Sequence, residues 1–380
     1  MDKQLKVLAV DDPAVYVYVD DRYSFLKKFT KETGVKIYFD IVKWVDYYST
    51  LMKSFQDYKY DIVMIAGHLW ISDFVEKGNL LELSGDFKLG YDYEDIIPSI
   101  RQEIEYNEKK YLLPSFCDGH ILLYRKSEIK ENIADEISID ELIKIVENNA
   151  DKQKSTFVLK AHPSEIFLDF LPYLRNEGID AFDKKGKPLF NNQKGYIALE
   201  KYINMKKYCP KNVGEFGNEK VLNTIQKDKC KLGVTWSGQV GKITSDQCVN
   251  PEDIGFASLE TSWNTTWSFG INHLCQDQLL AERFLQFITT KEVDKVVGTY
   301  CGNPTRRSSF EQGKEKYRWY LVVQNMLERS KSLPHLPFTG QLIDITTKEI
   351  VKAFKHKISP QEALRNATSI IEGRLLNAKL

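Results

Sequence analysis

The segment spanning residues 60–83 constrains the fold of this chain more than any other. After Asp61 it continues into an uninterrupted apolar run at residues 62–66. Such a run predicts a strand buried on both faces, as in a parallel sheet. Gly67 follows directly, and a small residue at the carboxyl end of a strand lets a ligand approach the backbone. A short amphipathic helix containing Trp70 completes the pattern.

The first part of the chain alternates strand and helix patterns. Strands are predicted at residues 5–10, 35–42 and 62–66, with amphipathic helices between them. This order predicts a parallel, doubly wound sheet, which binds its ligands at the carboxyl ends of its strands. The residues at or just after those ends are Asp11, Asp12, Trp44, Gly67 and His68.

The middle of the chain is mostly helical in pattern. Ser138 and Glu141 have the spacing of a capping box that begins a helix. Residues 164–177 form a second helical pattern, and Pro172 within it predicts a kink. A strand pattern at residues 229–238 follows and contains Trp236. The residues after Trp236 show no clear helical pattern.

Composition narrows the function classes. The chain has 380 residues, enough for two or three domains, and its 53 Lys and Arg balance 53 Asp and Glu. A nucleic-acid partner is not expected, because such binders carry a basic excess or a basic face. No apolar run approaches the ~18–20 residues that span a bilayer. The six cysteines form no C-x-x-C pair, so we expect free buried thiols, no metal site and no cofactor.

Several segments occur in an order that resembles a known family. They are residues 60–83, the Lys-x-Tyr-x-Leu-Pro-like turn at 110–114 with the strand after it, the strand at 229–238, residues 267–287, the loop 302–306 and the helix start at 359–364. Together they resemble the extracellular solute-binding proteins of bacterial ABC importers, in the sugar-binding, maltose-binding-protein-like group. Each motif is loose; their order and spacing are specific and cover nearly the whole chain. Arg125, where many members have Asn, departs from the pattern, and so does Trp236, which precedes its glycine.

The resemblance implies an α/β, two-lobed, periplasmic-binding-protein-like fold of type II. Each lobe would be a doubly wound sheet flanked by helices, with the ligand cleft between the lobes. Lobe one is expected at residues 1–115 and 262–310, and lobe two at 120–258 and 315–380. The hinge crossings are then expected near residues 115–119, 259–263 and 310–315.

The resemblance also implies a function. The chain would bind a carbohydrate, with an oligosaccharide preferred, by lobe closure and deliver it to the membrane subunits of an ABC permease, as a monomer and without catalysis. It would be extracellular, as a cell-surface lipoprotein or in the periplasm, with its export signal absent from this sequence. Without the family resemblance, the missing signal would indicate a cytosolic protein.

Candidate ligand contacts follow from how proteins bind sugars. Aromatic faces pack against the C–H faces of sugar rings, and polar side chains make charge-assisted hydrogen bonds to hydroxyls. The aromatic candidates are Trp44, Trp70, Phe116, Trp236, Trp263 and Trp267. The remaining candidates are Asp11, Asp12, Gly67, His68, Asp118, Asn303 and Arg306. For Asp11 and Asp12, a helix cap is the competing explanation for one of the two.

Two alternatives to sugar binding remain open from sequence. No G-x-S-x-G, Walker, H-E-x-x-H or G-x-G-x-x-G motif is present, but a carbohydrate hydrolase needs only two carboxylates that meet in space. Asp11 and Asp118 would be that pair. The second alternative is a binding protein for a polyamine, a metal or a phosphorylated compound.

Overall fold

The chain forms two compact units. The computed structural model describes residues 3–300 and 302–377. Within these, unit one contains the residues up to Asp118 together with Asn264–Glu328, and unit two contains Gly119–Trp263 and the residues from Arg329 onward. The chain therefore passes between the units after residues 118, 263 and 328.

The third crossing lies later than the sequence indicated. Residues 315–328, expected in lobe two, group with unit one. The hydroxyl of Tyr320 donates to the carbonyl of Gly298 at 2.9 Å, and its ring lies 5.0 Å from that of Phe310. These contacts hold the helix Tyr320–Arg329 on unit one. No local pattern in the sequence of this segment predicts them.

The sheet of unit one has the predicted parallel order. Gln4–Val10 pairs in parallel with Lys36–Val42 on one side and with Ile62–Ala66 on the other. Ile62–Ala66 is buried throughout, as the apolar run predicted. Asn264–Ile271 then pairs antiparallel with Ile62–Ala66. Three parallel strands therefore end at one edge of this sheet, which is where Asp11, Asp12, Trp44, Gly67 and His68 lie.

Helices connect and flank these strands. In unit one they are Pro13–Val19, Phe25–Thr33, Trp44–Ser54, Gly67–Glu76, Pro98–Ile104, Gln278–Ile288, Lys291–Tyr300, Arg307–Gly313 and Tyr320–Arg329. A small antiparallel ribbon pairs Glu105–Tyr106 with Lys109–Lys110. The helix Phe25–Thr33 ends at Gly34, which has a left-handed φ of 74° and donates its N–H to Thr30.

The sheet of unit two is centred on the long strand Leu112–Arg125, which enters from unit one. Cys230–Trp236 and Ile254–Leu259 pair antiparallel with it on its two sides. Ser155–Val158 and Glu136–Ile137 then extend the sheet in parallel at its two edges. The register sets His120 opposite Trp236, which matters for the site below.

Unit two has its own helices. They are Ile139–Asn148, Ile166–Asn176, Gln193–Asn204, Asn218–Gln226, Val240–Ile243, Thr339–Phe354 and Pro360–Asn377. The capping box is confirmed: the Ser138 hydroxyl accepts the N–H of Glu141, whose carboxylate accepts the N–H of Ser138. None of the described helices is long and apolar enough to cross a bilayer.

Candidate functional site

Three tryptophans meet at the strand ends of unit one. Trp44 begins the helix after the second strand, Trp70 lies in the helix after the third, and Trp267 faces Ala66 across the sheet register. The ring centroids of Trp44 and Trp70 are 5.9 Å apart and nearly parallel, and Trp267 stands edge-on at 5.8 Å from Trp44 and 5.9 Å from Trp70. We call Trp44, Trp70 and Trp267 the tryptophan cluster.

The outer side of this cluster is open to solvent. Trp44 is 48% exposed, although Trp70 beneath it is only 8% exposed. Tyr48, one helical turn after Trp44, is 45% exposed, and its ring centroid lies 5.4 Å from that of Trp70. Large aromatic side chains usually bury most of their surface, so an indole that packs against two others and is still half exposed leaves one face free for contact.

Asp11 and Asp12 separate into two roles at the end of the first strand. Asp12 caps the helix Pro13–Val19 by accepting the N–H of Ala14 at 2.9 Å, which is the competing explanation for one of the pair. Burial raises the pKa of Asp12 to about 6. Asp11 is exposed and accepts the hydroxyl of Tyr16 at 2.9 Å. Asp11 is therefore the more accessible acceptor for a hydroxyl of a ligand.

Gly67 and His68 are buried at the end of the third strand. A Cβ on Gly67 would stand 2.3 Å from the carbonyl oxygen of Glu103. The close approach that requires a glycine here comes from the backbone of unit one itself. The backbone of Glu103 thus accounts for the small residue that the sequence analysis connected with a ligand.

The candidates near residue 303 are packed into unit one. Arg306 is fully buried and donates to the carbonyls of Tyr91 at 3.1 Å, Asp92 at 2.7 Å and Thr289 at 3.0 Å. The amide of Asn303 donates to the carbonyl of Cys117 at 3.1 Å. These side chains are used to hold loops together and do not belong to the tryptophan cluster.

The two candidates of unit one nearest the first crossing differ in exposure. Phe116 is buried, and a Cβ on Gly302 would stand 3.1 Å from its side chain. Asp118 is partly exposed and is the last residue of unit one before the chain enters unit two. Of the two, Asp118 is the one that solvent can reach.

The tryptophans of unit two lie in a second, buried cluster. Trp236 is 7% exposed, stacks on His120 with 4.5 Å between the ring centroids, and donates its Nε1–H to Glu165 at 2.9 Å. The Lys160 ammonium lies 3.7 Å from the centre of the Trp236 ring. Trp263 is fully buried and stands edge-on to Trp236 at 5.8 Å. Only a small part of Trp236 is therefore accessible in unit two.

Buried charges surround Trp236. The carboxylate of Asp169 lies 3.3 Å from Nε2 of His120 and 3.6 Å from Nζ of Lys160. Burial and the nearby Lys160 charge lower the pKa of His120 to about 4, so its imidazole is neutral at pH 7. Burial raises the pKa of Glu165. We call His120, Lys160, Glu165 and Asp169 the charged cluster of unit two.

Sequence analysis did not single out the members of the charged cluster. Lys160 follows the strand Ser155–Val158, and four residues are too few for a periodicity to reveal a strand. Lys160 and Glu165 also flank a proline, which reads as an ordinary turn. The usable signal was the β-branched and aromatic run of Thr156, Phe157 and Val158, two residues before Lys160.

The described residues contain no group of three or more His, Cys, Asp or Glu side chains that could hold a metal ion. The five described cysteines are free thiols: Cys117, Cys209, Cys230, Cys248 and Cys275. Cys301 lies outside the described residues.

Comparisons with known proteins place these features in context. The family profile of bacterial extracellular solute-binding proteins matches residues 16–295. The chain is 22% identical over 344 residues to the erythritol/L-threitol-binding protein of Mycolicibacterium smegmatis, covering 77% of this chain and 69% of that protein.

Solved structures show the same fold. The maltose-bound MalE3 protein of T. maritima superposes with a TM-score of 0.85 at 17% identity, covering 97% of this chain and 99% of that one. A ribitol-bound ABC transporter solute-binding protein of Agrobacterium radiobacter superposes with a TM-score of 0.84 at 19% identity, covering 98% of both chains. The fold class predicted from the sequence is confirmed.

Proposed function

The chain belongs to the bacterial extracellular solute-binding proteins, and on that premise we propose that it captures a carbohydrate for an ABC importer. It acts outside the cytoplasmic membrane and delivers the ligand to the permease subunits. The two units close on the ligand by bending at the three crossings, as hinge proteins do. It binds and releases the ligand without changing it.

The observation that supports a sugar ligand is the half-exposed face of Trp44. Its indole is braced by Trp70 and Trp267, so it loses little side-chain freedom when a ligand covers it. A pyranose ring presents a flat C–H face that fits such a surface, while its hydroxyls require acceptors at the edge. The exposed carboxylate of Asp11 supplies an acceptor at the same edge of the sheet.

The flat aromatic surface favours ring sugars over open-chain polyols. Trp44 and Tyr48 are both nearly half exposed and occupy successive turns of one helix, so together they offer more area than one sugar ring covers. We therefore propose an oligosaccharide of at least two rings. An acyclic polyol is the second candidate, supported by the erythritol/L-threitol-binding relative.

The proposed ligand contacts are six of the residues expected from sequence together with Glu165, which the structure adds. In unit one they are Asp11, Trp44, Trp70, Trp267 and Asp118. In unit two they are the accessible edge of Trp236 and the carboxylate of Glu165. The proposal does not depend on Asn303, Arg306 or Trp263, whose polar atoms are used in packing.

A thermal-shift screen followed by calorimetry tests this function. Ligands would be glucose, maltose, maltotriose, maltotetraose, erythritol and ribitol. A ligand that binds only the native state at 100 times its Kd stabilises it by about 2.7 kcal/mol, which is readily visible in the Tm. We expect the oligosaccharides to raise the Tm more than the polyols. A response to polyols alone would select the second candidate, and a response to none would oppose carbohydrate binding.

Chromatography of the bound sugar after long incubation tests the absence of catalysis. We expect intact sugar. Products that disappear in an Asp118→Asn variant would instead support the hydrolase alternative.

A further inference from the structure

One helix of unit two contacts all three places where the chain enters or leaves that unit. This helix, Ile166–Asn176, contains a proline within its length, and we call it the Pro172 helix. Proline has no N–H, so the carbonyl four residues earlier, that of Leu168, loses its helical donor. The Nε1–H of Trp263 donates to this carbonyl at 3.3 Å. Trp263 is the last residue of unit two before the chain leaves it.

A second bond fixes the same exit segment. The hydroxyl of Thr261 donates to the carbonyl of Pro172 at 2.9 Å. Two residues just before the exit are therefore bound to carbonyls one turn apart on the Pro172 helix. The proline makes this possible, because it frees the first of these carbonyls for a side chain from outside the helix.

The re-entry after residue 328 is held by the last turn of the same helix. Arg175 donates to the carbonyl of Lys331 at 2.7 Å and to that of Ser332 at 3.2 Å. Its side chain is almost fully buried and is oriented by Asp180, whose carboxylate accepts its Nε–H at 2.6 Å. A bidentate guanidinium on two successive carbonyls fixes both the position and the direction of that segment.

The segment after the first crossing lies against the middle of the helix. His120 is the second residue of unit two, and its Nε2 lies 3.3 Å from the carboxylate of Asp169. The carbonyl of His120 also accepts the hydroxyl of Ser262 at 3.3 Å, so the first and second crossings are tied to each other as well.

The opposite end of the Pro172 helix lies at Trp236. Glu165 directly precedes the helix and accepts the indole N–H of Trp236. Asp169, one turn later, accepts the backbone N–H of Lys160 at 2.9 Å. Anything that moves Trp236 or Glu165 therefore acts on the same rigid element that holds the crossings.

We propose that the Pro172 helix anchors the three crossing segments in unit two and couples contact at Trp236 to bending at those crossings. Trp263, Arg175 and Asp169 act as positioning residues in this coupling. The inference rests on the proposed function only in taking bending at the crossings as the motion that matters. The bonds that carry it all lie within unit two.

The ligand-free protein provides the first test. Spin labels carried by unnatural amino acids at Lys31 in unit one and Lys211 in unit two, both exposed, report the distribution of distances between the units. Arg175→Lys keeps the charge and loses the two-carbonyl grip, so we expect it to broaden this distribution by roughly half its width. The matched control is Arg125→Lys. The Arg125 side chain is 2% exposed, against 7% for Arg175, and donates to the carbonyls of Ile225 and Val249, which lie at no crossing.

A double-mutant cycle tests the special role of the proline. Trp263→Phe keeps a ring but removes the donor to Leu168, and Pro172→Ala restores a helical N–H to that carbonyl. We expect Trp263→Phe to broaden the distance distribution on the wild-type background and to have a clearly smaller effect on the Pro172→Ala background. Equal effects on both backgrounds would show that the indole bond to Leu168 does not matter for the crossings.

The outcomes separate this inference from the proposed function. If Arg175→Lys and Trp263→Phe lower the Tm but leave the distance distribution as narrow as in the Arg125→Lys control, the Pro172 helix only stabilises unit two and the inference is wrong. Maltotetraose is added in a separate measurement. If it leaves the wild-type distances unchanged while the ligand-free variants still broaden, the anchoring stands and the proposed ligand or its closure is at fault.

Discussion

At the scale of single residues, Trp44 is the side chain that we expect to contribute most to oligosaccharide affinity. Because it is half exposed, Trp44→Ala should lower the Tm of the empty protein little, while oligosaccharide affinity falls by roughly 1–3 kcal/mol. Calorimetry with the sugar found in the screen measures the affinity. Tyr38→Ala is the matched control, since Tyr38 is 51% exposed in unit one but lies on an edge strand away from the cluster. Equal losses of affinity in the two variants would contradict the assignment of Trp44 as a ligand contact.

The surroundings of Trp236 could not be predicted from the sequence. The sequence after Trp236 shows no clear helical pattern, yet a turn at Ser237–Gln239 and the helix Val240–Ile243 follow it, with Val240 and Ile243 buried. A four-residue helix is too short to leave a periodic signal. The role of Trp236 as a ligand platform stays a prediction.

The burial of Trp236 changes what its removal should do. Trp236→Ala empties a site between His120, Trp263 and Lys160 and leaves Glu165 without its indole donor. We expect a loss of about 3 kcal/mol in the free energy of unfolding, within the range for large buried aromatics. Urea unfolding of the empty protein measures it. An unchanged unfolding midpoint would restore the sequence-based view of an exposed platform.

His120 should make the stability of unit two depend on pH. Its pKa is about 4 in the folded protein and near 6.5 when unfolded, so the unfolded chain binds the extra proton between these values. The stability contributed by neutral His120 is thus complete above about pH 6.5 and is lost as the pH falls towards 4, by up to about 3 kcal/mol. Unfolding curves of His120→Gln should show a weaker acid dependence than wild type. As a control, substituting the exposed His162 should leave the dependence of stability on pH as in the wild type.

At the scale of elements, local signals predicted the structure where they were complete. The apolar run at Ile62–Ala66 and the capping box at Ser138 each combine residue type with spacing, and both are confirmed. For Trp44, Trp70 and Trp267, the sequence predicts that the ends of the strands share one edge of the sheet. It does not predict which of these side chains are in contact. The strand Ser155–Val158 was missed because it is four residues long.

The capping box offers a clean test at this scale. Ser138→Ala removes the hydroxyl that accepts the N–H of Glu141 at the start of the helix Ile139–Asn148. We expect a loss of about 1 kcal/mol in stability, the usual cost of losing such a cap. Ser138→Thr keeps a hydroxyl acceptor and should recover most of it. Thermal unfolding measures both, and ligand affinity should not change, because this helix carries none of the proposed contacts.

At the scale of the whole molecule, the order of weak motifs predicted more than any one of them. No single segment identifies the family, yet together they extend over nearly the whole chain, and the family and fold class are confirmed. The third crossing was misplaced because it depends on packing between distant segments. The contact of Tyr320 with Gly298 decides it, and a contact between residues so far apart leaves no trace in local patterns.

Compaction on binding is the prediction that belongs to the whole molecule. The chain passes between its units after residues 118, 263 and 328, and hinge closure takes place at a few such connecting residues. Saturating oligosaccharide should therefore lower the radius of gyration measured by X-ray scattering in solution, whereas a sugar that leaves the Tm unchanged should not. Trp44→Ala at matched saturation is the informative control: if Trp44 contributes affinity alone, the variant should reach the same compact state at higher sugar concentration. A radius that stays constant at full occupancy would mean that the protein holds its ligand without closing, and the hinge at the three crossings would have to be abandoned.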